Sequence, residues 1–227
     1  MKLVAVTGAG GGLGRHVALR AQDAGYAVVG FSRSRPEEDP GFPLEVGDVA
    51  DRKAVASFFG KLRKEPLWGI VNAAGIACMN LLLTTPAETI ARVLDTNLLG
   101  TMNVCAEGAK ALLRAKAGRI VNFSSIAHPL ALAGESVYAA SKAGVETFTR
   151  CLARELGGFG ITVNAVRPGP IATGILKGLT KEQIDAVVKR QIVPRMAEPE
   201  DVWHVVEFFL DPRSSMISGE IVGLGGS

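Results

Sequence analysis

Tyr138 and Lys142 stand four positions apart in the run SVYAASKAG, residues 136–144. On a helix they share one face, a turn apart. An ammonium beside a phenol favours the phenolate, and a tyrosine with an ordinary pKa of about 10 then becomes a usable acid or base. The same pair would also arise from a half-buried tyrosine next to a snorkelling lysine. The surroundings of the pair decide between the two. A second candidate is TGAGGGLG, residues 7–14, with Gly8, Gly12 and Gly14 between an apolar run and a helical pattern. Glycines there permit a tight turn and let the backbone approach a pyrophosphate at a positive helix N-terminus. The spacing departs from the common Gly-x-Gly-x-x-Gly form.

Composition narrows the field. At 227 residues, 48% apolar and 21% charged, the chain suits one large α/β domain spanning residues 1–227. A net charge of +3 without a long basic run argues against nucleic acid as a partner. Cys78, Cys105 and Cys151 are widely spaced and read as small core residues in a reducing compartment. His16, His128 and His204 share no ligand spacing, so no metal is expected. No apolar run reaches membrane-spanning length, and a soluble cytoplasmic protein with no membrane partner is expected.

The elements that must position these residues alternate. Apolar runs at 2–6, 26–31, 42–48, 68–75, 118–125, 161–169 and 219–226 predict seven strands. Helices are predicted at 13–24, 51–64, 86–115, 137–156 and, interrupted near Pro194 and Pro199, at 181–210. The segment between the second and third strands is brief and proline-rich, too short for a long crossover helix. Two-sided apolar strands alternating with helices imply a doubly wound, seven-stranded parallel sheet of Rossmann type with helices on both faces. Ligands in such sheets lie beyond the carboxyl ends of the strands.

Those ends are polar or small. The second closes in Ser32-Arg33-Ser34-Arg35, where an NAD-type site carries a carboxylate for the ribose 2′-hydroxyl. Two guanidiniums there could face a 2′-phosphate instead, or could be solvated loop residues. Asp48, with Val49 next to it, ends the third strand, where a carboxylate can accept from an adenine amino group or cap the next helix. Asn72, Ala73, Ala74 and Gly75 end the fourth, Ser124 and Ser125 the fifth, and Pro168, Gly169, Ile171 and Thr173 belong to the end of the sixth.

With these motifs in order, the chain resembles the short-chain dehydrogenase/reductases over nearly its whole length. TGAGGGLG, NAAG, NLLG (97–100), the Ser124-Ser125 pair, YAASK, PGPIAT and the terminal GLGG all occur in the family's order. The C-terminal half looks most like the 3-oxoacyl-acyl-carrier-protein reductase branch. The resemblance implies four catalytic residues. Ser125 would hydrogen-bond the substrate carbonyl oxygen, Tyr138 would exchange its proton with that oxygen, Lys142 would lower the tyrosine's pKa and bind the nicotinamide ribose, and Asn97 would hold a water linking the lysine to solvent. It also implies a cofactor site from Gly8, Gly10, Gly11, Gly12, Leu13, Gly14, Ser32, Arg33, Asp48, Val49, Asn72, Ala73, Ala74, Gly75, Tyr138, Lys142, Pro168, Gly169, Ile171 and Thr173.

The expected function is reduction of a 3-oxoacyl thioester, on acyl carrier protein or CoA, or of a similar keto group. NADP(H) is favoured over NAD(H) because of Arg33. Family members that use NADPH often carry a base where Gly11 stands, and carrier-protein reductases often carry one where Phe159 stands. Lys116 and Arg119 are the substitutes for docking a carrier protein. The alternatives are an NAD-dependent alcohol or 3-hydroxyacyl-CoA dehydrogenase and, from another class, a non-catalytic dinucleotide sensor; a sensor has no need of Ser125, Tyr138 and Lys142 together. Apolar residues on several sides of helices 86–115 and 137–156 (Leu98, Leu99, Val104, Leu112, Phe148 and Leu152) predict a homotetramer.

Overall fold

A computed structural model describes residues 1–172 and 180–226. Seven parallel strands form one sheet: β1 Leu3–Thr7, β2 Ala27–Ser32, β3 Leu44–Val46, β4 Leu67–Asn72, β5 Gly118–Phe123, β6 Ile161–Arg167 and β7 Ile221–Gly223. The order across the sheet is β3-β2-β1-β4-β5-β6-β7. The chain builds outward from β1 through β2 to β3, then restarts on the other side with β4. That reversal opens a crevice above the carboxyl ends of β1 and β4.

Both faces are covered because the strands are apolar on both. Along β1, Leu3 and Ala5 join one core cluster and Val4 and Val6 the other, as the period-two alternation of a strand requires. The first cluster packs under α2 (Arg52–Lys61), α4 (Gly100–Ala115) and α6 (Ser136–Leu156), with Phe58, Leu112 and Leu152 among its members. The second packs under α1 (Gly12–Asp23) and α8 (Pro199–Leu210), with Val17, Trp203 and Phe209. As the short connection predicted, no helix joins β2 to β3. Asp51 caps α2, accepting from the backbone N–H of Lys53 and Ala54 at 2.8 and 3.3 Å.

The expected helix 86–115 is not continuous. α3 (Ala87–Leu94) runs into a π-helical turn, Asp95–Leu99, before α4 begins. A π-turn inserts one residue into the helical repeat and often marks a functional position; here it carries Asn97. The remaining helices are the short α5 (Ala127–Leu130) and α7 (Lys181–Val188).

Several sequence expectations are corrected. Val104, Leu112 and Leu152 are buried within the chain, because α4 and α6 are flanked by neighbouring helices as well as by the sheet. Of the six residues offered for assembly, Leu99 is exposed, while Leu98 and Phe148 are half-buried. Cys151 is exposed rather than a core residue, whereas burial pushes the Cys105 thiol up to about 12. Arg119 is also buried, with its guanidinium over the Trp68 ring and donating to the carbonyl of Pro212 at 3.0 Å. Lys116 and Phe159 immediately precede β5 and β6. All three lie at the amino ends of strands, opposite the crevice, and cannot present charge at its mouth.

Candidate active site

The glycine turn between β1 and α1 is built by close approach. Gly8, at φ +70°, donates its N–H to the Phe31 carbonyl at 2.8 Å, and a Cβ on it would lie 2.9 Å from the Ala74 backbone. A Cβ on Gly10 would meet the Ser32 Oγ at 2.5 Å, and one on Gly14 would strike the Gly8 carbonyl. Gly11 and Gly12, at the start of α1, instead face open space. Two glycines therefore leave room at a positive helix end while three others allow the turn to fold, an arrangement that fits a pyrophosphate.

From this turn a cavity of about 540 Å³ extends across the carboxyl ends of β4, β5 and β6. Gly8, Gly11, Gly12, Leu13, Gly14, Ala73, Ala74, Gly75, Ser125, Tyr138, Lys142, Pro168, Gly169 and Ile171 all line it. Thr173 lies outside the described residues. Asn72 does not line the cavity: its buried amide turns into the core, donating to Asn122 Oδ1 at 2.8 Å and to Cys105 Sγ at 3.3 Å. Val49 is likewise a packing residue, and a Cβ on Gly100 would lie 2.5 Å from its Cγ2. The reason is common to both. A residue at a strand end offers either its backbone or its side chain to the crevice, and sequence does not say which.

The side of the turn that faces the end of β2 is open. Arg33 is exposed and makes no hydrogen bond or ion pair to any described residue, whereas Arg35 is tied down by donating to the Leu44 carbonyl at 3.0 Å. Asp48 accepts from the Ala50 N–H at 2.9 Å, an Asx turn leading into α2. Arg15 also stands here, unremarked in the sequence reading although it directly follows the glycine turn. It pairs with Glu38 at 3.6 Å, so part of its charge is already answered.

The other end is enclosed. Tyr138 and Lys142 are 6% and 5% exposed, on the face of α6 that meets β5. Lys142 donates to the Phe123 carbonyl at 2.8 Å, and its Nζ lies 5.9 Å from the Tyr138 ring centre. Burial lowers the lysine's pKa to about 8. Burial also raises the tyrosine's pKa; the nearby Ser125 hydroxyl lowers it, and the Glu135 charge adds to the rise. The expected lowering of the phenol by Lys142 is thus absent. The ammonium faces a backbone carbonyl, and desolvation dominates both groups.

Asn97 explains the π-turn's place. Its side chain clasps the backbone of Ile76, accepting from the N–H at 2.8 Å and donating to the carbonyl at 2.9 Å. It also donates to Ser141 Oγ, on α6, at 3.0 Å. The side chain is therefore occupied in joining the β4 end to α6. A Cβ on Gly75 would lie 3.3 Å from Asn97 Oδ1 and 3.4 Å from Lys142 Nζ, so the glycine keeps the space between them clear.

Behind the tyrosine lies a network that the sequence reading missed. Glu146, one turn after Lys142 and 1% exposed, accepts from Ser124 Oγ at 2.6 Å and from Arg167 at 2.7 and 2.8 Å. His128 Nδ1 is 3.2 Å away. Burial would raise this carboxyl's pKa, but the hydrogen bonds from Arg167 and Ser124, with His128 close by, outweigh it and hold it at about 2. The network ties α6 to the ends of β5 and β6. Its signal was a carboxylate at a helix position otherwise reserved for apolar residues.

A dinucleotide turn at one end of a crevice and a serine–tyrosine–lysine group at the other define a Rossmann-type, nicotinamide-dependent oxidoreductase. Residues 8–226 match the family described as enoyl-(acyl carrier protein) reductase. The 3-oxoacyl-[acyl-carrier-protein] reductase of Vibrio cholerae is 31% identical, with 99% of this chain and 96% of that one covered. The Staphylococcus aureus enzyme of that name is 32% identical, covering 99% and 97%. Among solved structures, a short-chain type dehydrogenase/reductase from Mycobacterium ulcerans superposes with a TM-score of 0.92 at 26% identity, covering 98% and 88%. A Beutenbergia cavernae chain solved with NADP at low occupancy gives 0.91 at 29% identity, covering 98% and 94%. The chain belongs to the short-chain dehydrogenase/reductase family.

Proposed function

We propose that the protein reduces a keto group to the hydroxyl with NADPH favoured, a 3-oxoacyl thioester being the leading substrate. The observation that carries this is that Ser125, Tyr138 and Lys142 line one end of the same crevice whose other end is the glycine turn. A reduced nicotinamide cofactor, when bound, supplies hydride to the carbonyl carbon. Ser125 donates a hydrogen bond to the carbonyl oxygen and stabilises the charge that grows there. Tyr138 delivers its proton to the same oxygen, completing the hydroxyl. Its raised pKa keeps the phenol protonated around neutrality, the state that reduction needs. Lys142 receives the nicotinamide ribose, and its charge stabilises the phenolate left by proton transfer. Asn97 acts as a positioning residue, and a water held near its backbone would link Lys142 to solvent.

Gly8, Gly10, Gly11, Gly12, Leu13 and Gly14 hold the pyrophosphate, and Ala73, Ala74, Gly75, Pro168, Gly169 and Ile171 shape the nicotinamide end. Ser32 and Arg33 would face the 2′-phosphate, and Asp48 would face the adenine. The relatives' names support the thioester, and so do Ile184 and Val187 of α7, which line the cavity next to exposed Lys189 and Arg190. These two cations, rather than Lys116 and Arg119, are the ones offered to an acyl carrier protein. Exposed Leu94 and Leu99 support a homotetramer, and a cytoplasmic location fits the relatives' metabolism of carrier-bound acyl groups.

The test is NADPH oxidation with acetoacetyl-acyl-carrier-protein, acetoacetyl-CoA and small cyclic ketones. The thioesters should give the higher kcat/KM. Oxidation of alcohols with NAD as the only measurable reaction would replace this reading with the catabolic dehydrogenase.

A further inference from the structure

One charged side chain in the crevice has no part in the chemistry above. Glu135 lines the cavity beside Leu132, Ile126 and Tyr138. It stands at the N-cap position of α6, yet its side chain does not cap the helix. Its Oε2 is buried and accepts no hydrogen bond from any described residue, and it forms no ion pair with one. A buried, unpaired carboxylate oxygen is costly, and a protein keeps one where a ligand supplies the missing donor.

Its place in the chain fixes where that donor must come from. Glu135 is one turn before Tyr138 on the same helix, and its charge is close enough to raise the tyrosine's pKa. The carboxylate is therefore on the substrate side of the reacting oxygen, while the glycine turn occupies the far end. Among the described residues that line the cavity it is the one carboxylate, the strongest hydrogen-bond acceptor there.

We infer that Glu135 is a specificity-determining residue that accepts a hydrogen bond from an N–H or O–H of the substrate close to the reacting carbonyl. This rests on the carbonyl-reductase reading and sharpens its substrate class to ketones that bear such a donor. The donor is either a hydroxyl next to the carbonyl or the first amide of a pantetheine-like thioester arm. Ketones with a carboxylate or phosphate at that position are repelled.

Two matched pairs separate the sources. Hydroxyacetone and 2-butanone differ by a hydroxyl against a methyl. The acetoacetyl thioester of N-acetylcysteamine and an acetoacetyl alkyl thioester of equal length differ by the amide. Wild-type protein should favour the donor-bearing member of one pair by about tenfold in kcat/KM, the lower range for a hydrogen bond to a charged group. Glu135→Leu should erase that preference by raising KM for the donor-bearing member, and Glu135→Gln should keep part of it. A preference unchanged in Glu135→Leu, or no preference in wild type for either pair, overturns the inference. Line broadening of ligand proton signals on Tyr138→Phe protein, where turnover is suppressed, tests recognition apart from chemistry. Binding that follows Glu135 without any ketone reduction by wild type upholds the recognition and removes the reductase reading. Binding indifferent to Glu135 removes the inference alone.

Discussion

The two ends of the crevice are built in opposite ways. At the enclosed end, Glu135 apart, the polar groups are tied to neighbours: Lys142 holds the Phe123 carbonyl, Asn97 clasps Ile76, and Glu146 gathers Ser124 and Arg167 with His128 close by. At the open end, by the end of β2, Arg33 is exposed and makes no hydrogen bond or ion pair with any described residue, while Ser32 packs beside Gly10. Proton transfer needs groups held in one geometry within a dry site, and packing from several elements supplies that. Choosing between a phosphate and a hydroxyl needs only a charge near an open loop. The chemistry is hence hard to change by one substitution without loss, whereas the cofactor preference is easy to change.

The largest effect should come from the enclosed end. Tyr138→Phe removes one oxygen and keeps the ring packed, so turnover should fall about 10²–10⁴-fold, the usual contribution of a positioned proton donor. Cofactor affinity should hardly move. Single-turnover rates that stay above about half of wild type would remove the assigned role.

Next comes the buried network. Glu146→Leu strands Arg167 beside an apolar surface and should cost about 3–5 kcal/mol, or roughly 10 °C in melting temperature. The double variant Glu146→Leu/Arg167→Met should recover much of that loss, since replacing a buried pair is far milder than breaking it. A depressed carboxyl pKa contributes stability above its unfolded value. That part is lost only as pH falls toward about 2, so acid titration of the melting temperature should show it in wild type alone.

At the open end, effects should be smaller and confined to one cofactor. Arg33→Ala should weaken NADPH by tens-fold and leave NADH unchanged, and Ser32→Asp should reverse the preference by repelling the 2′-phosphate. Gly11 has open space where its Cβ would go and an extended backbone, so Gly11→Arg should fold normally and strengthen NADPH further. Values of kcat/KM for both cofactors decide the matter. Equal use of NADH by wild type would show that the open end does not discriminate.

The smallest effect is on the pH profile. Lys142 loses its charge as pH rises through about 8, and with it the stabilisation of the phenolate formed during proton transfer. Reduction should therefore decline about tenfold per pH unit beyond that point in kcat/KM, which reports the free protein. Lys142→Met should lack this limb, on a lower baseline. A wild-type profile flat from pH 7 to 9.5 would place the lysine's role elsewhere.

Sequence alone determined the seven strands, their parallel arrangement and many of the residues at the crevice, because continuous apolar runs, glycine turns and a tyrosine–lysine spacing are local patterns. It picked out Gly8, Gly11, Gly12, Leu13, Gly14, Ser125, Tyr138 and Lys142, which line one cavity, while Gly10 packs against Ser32 instead. It misjudged what depends on facing and burial. Asn72 and Val49 turn into the core, Arg119 and Lys116 sit at the wrong end of the sheet, and Val104, Leu112 and Leu152 pack within the chain. It also had no means of seeing Glu146 joined to Arg167, or Glu135 Oε2 left without a partner among the described residues. Hydrogen bonds between residues distant in sequence, and the desolvation that reverses the expected tyrosine shift, exist only once the sheet has brought separate elements together. Local pattern thus sets which residues reach the crevice, and tertiary burial sets the charge and partners each has there.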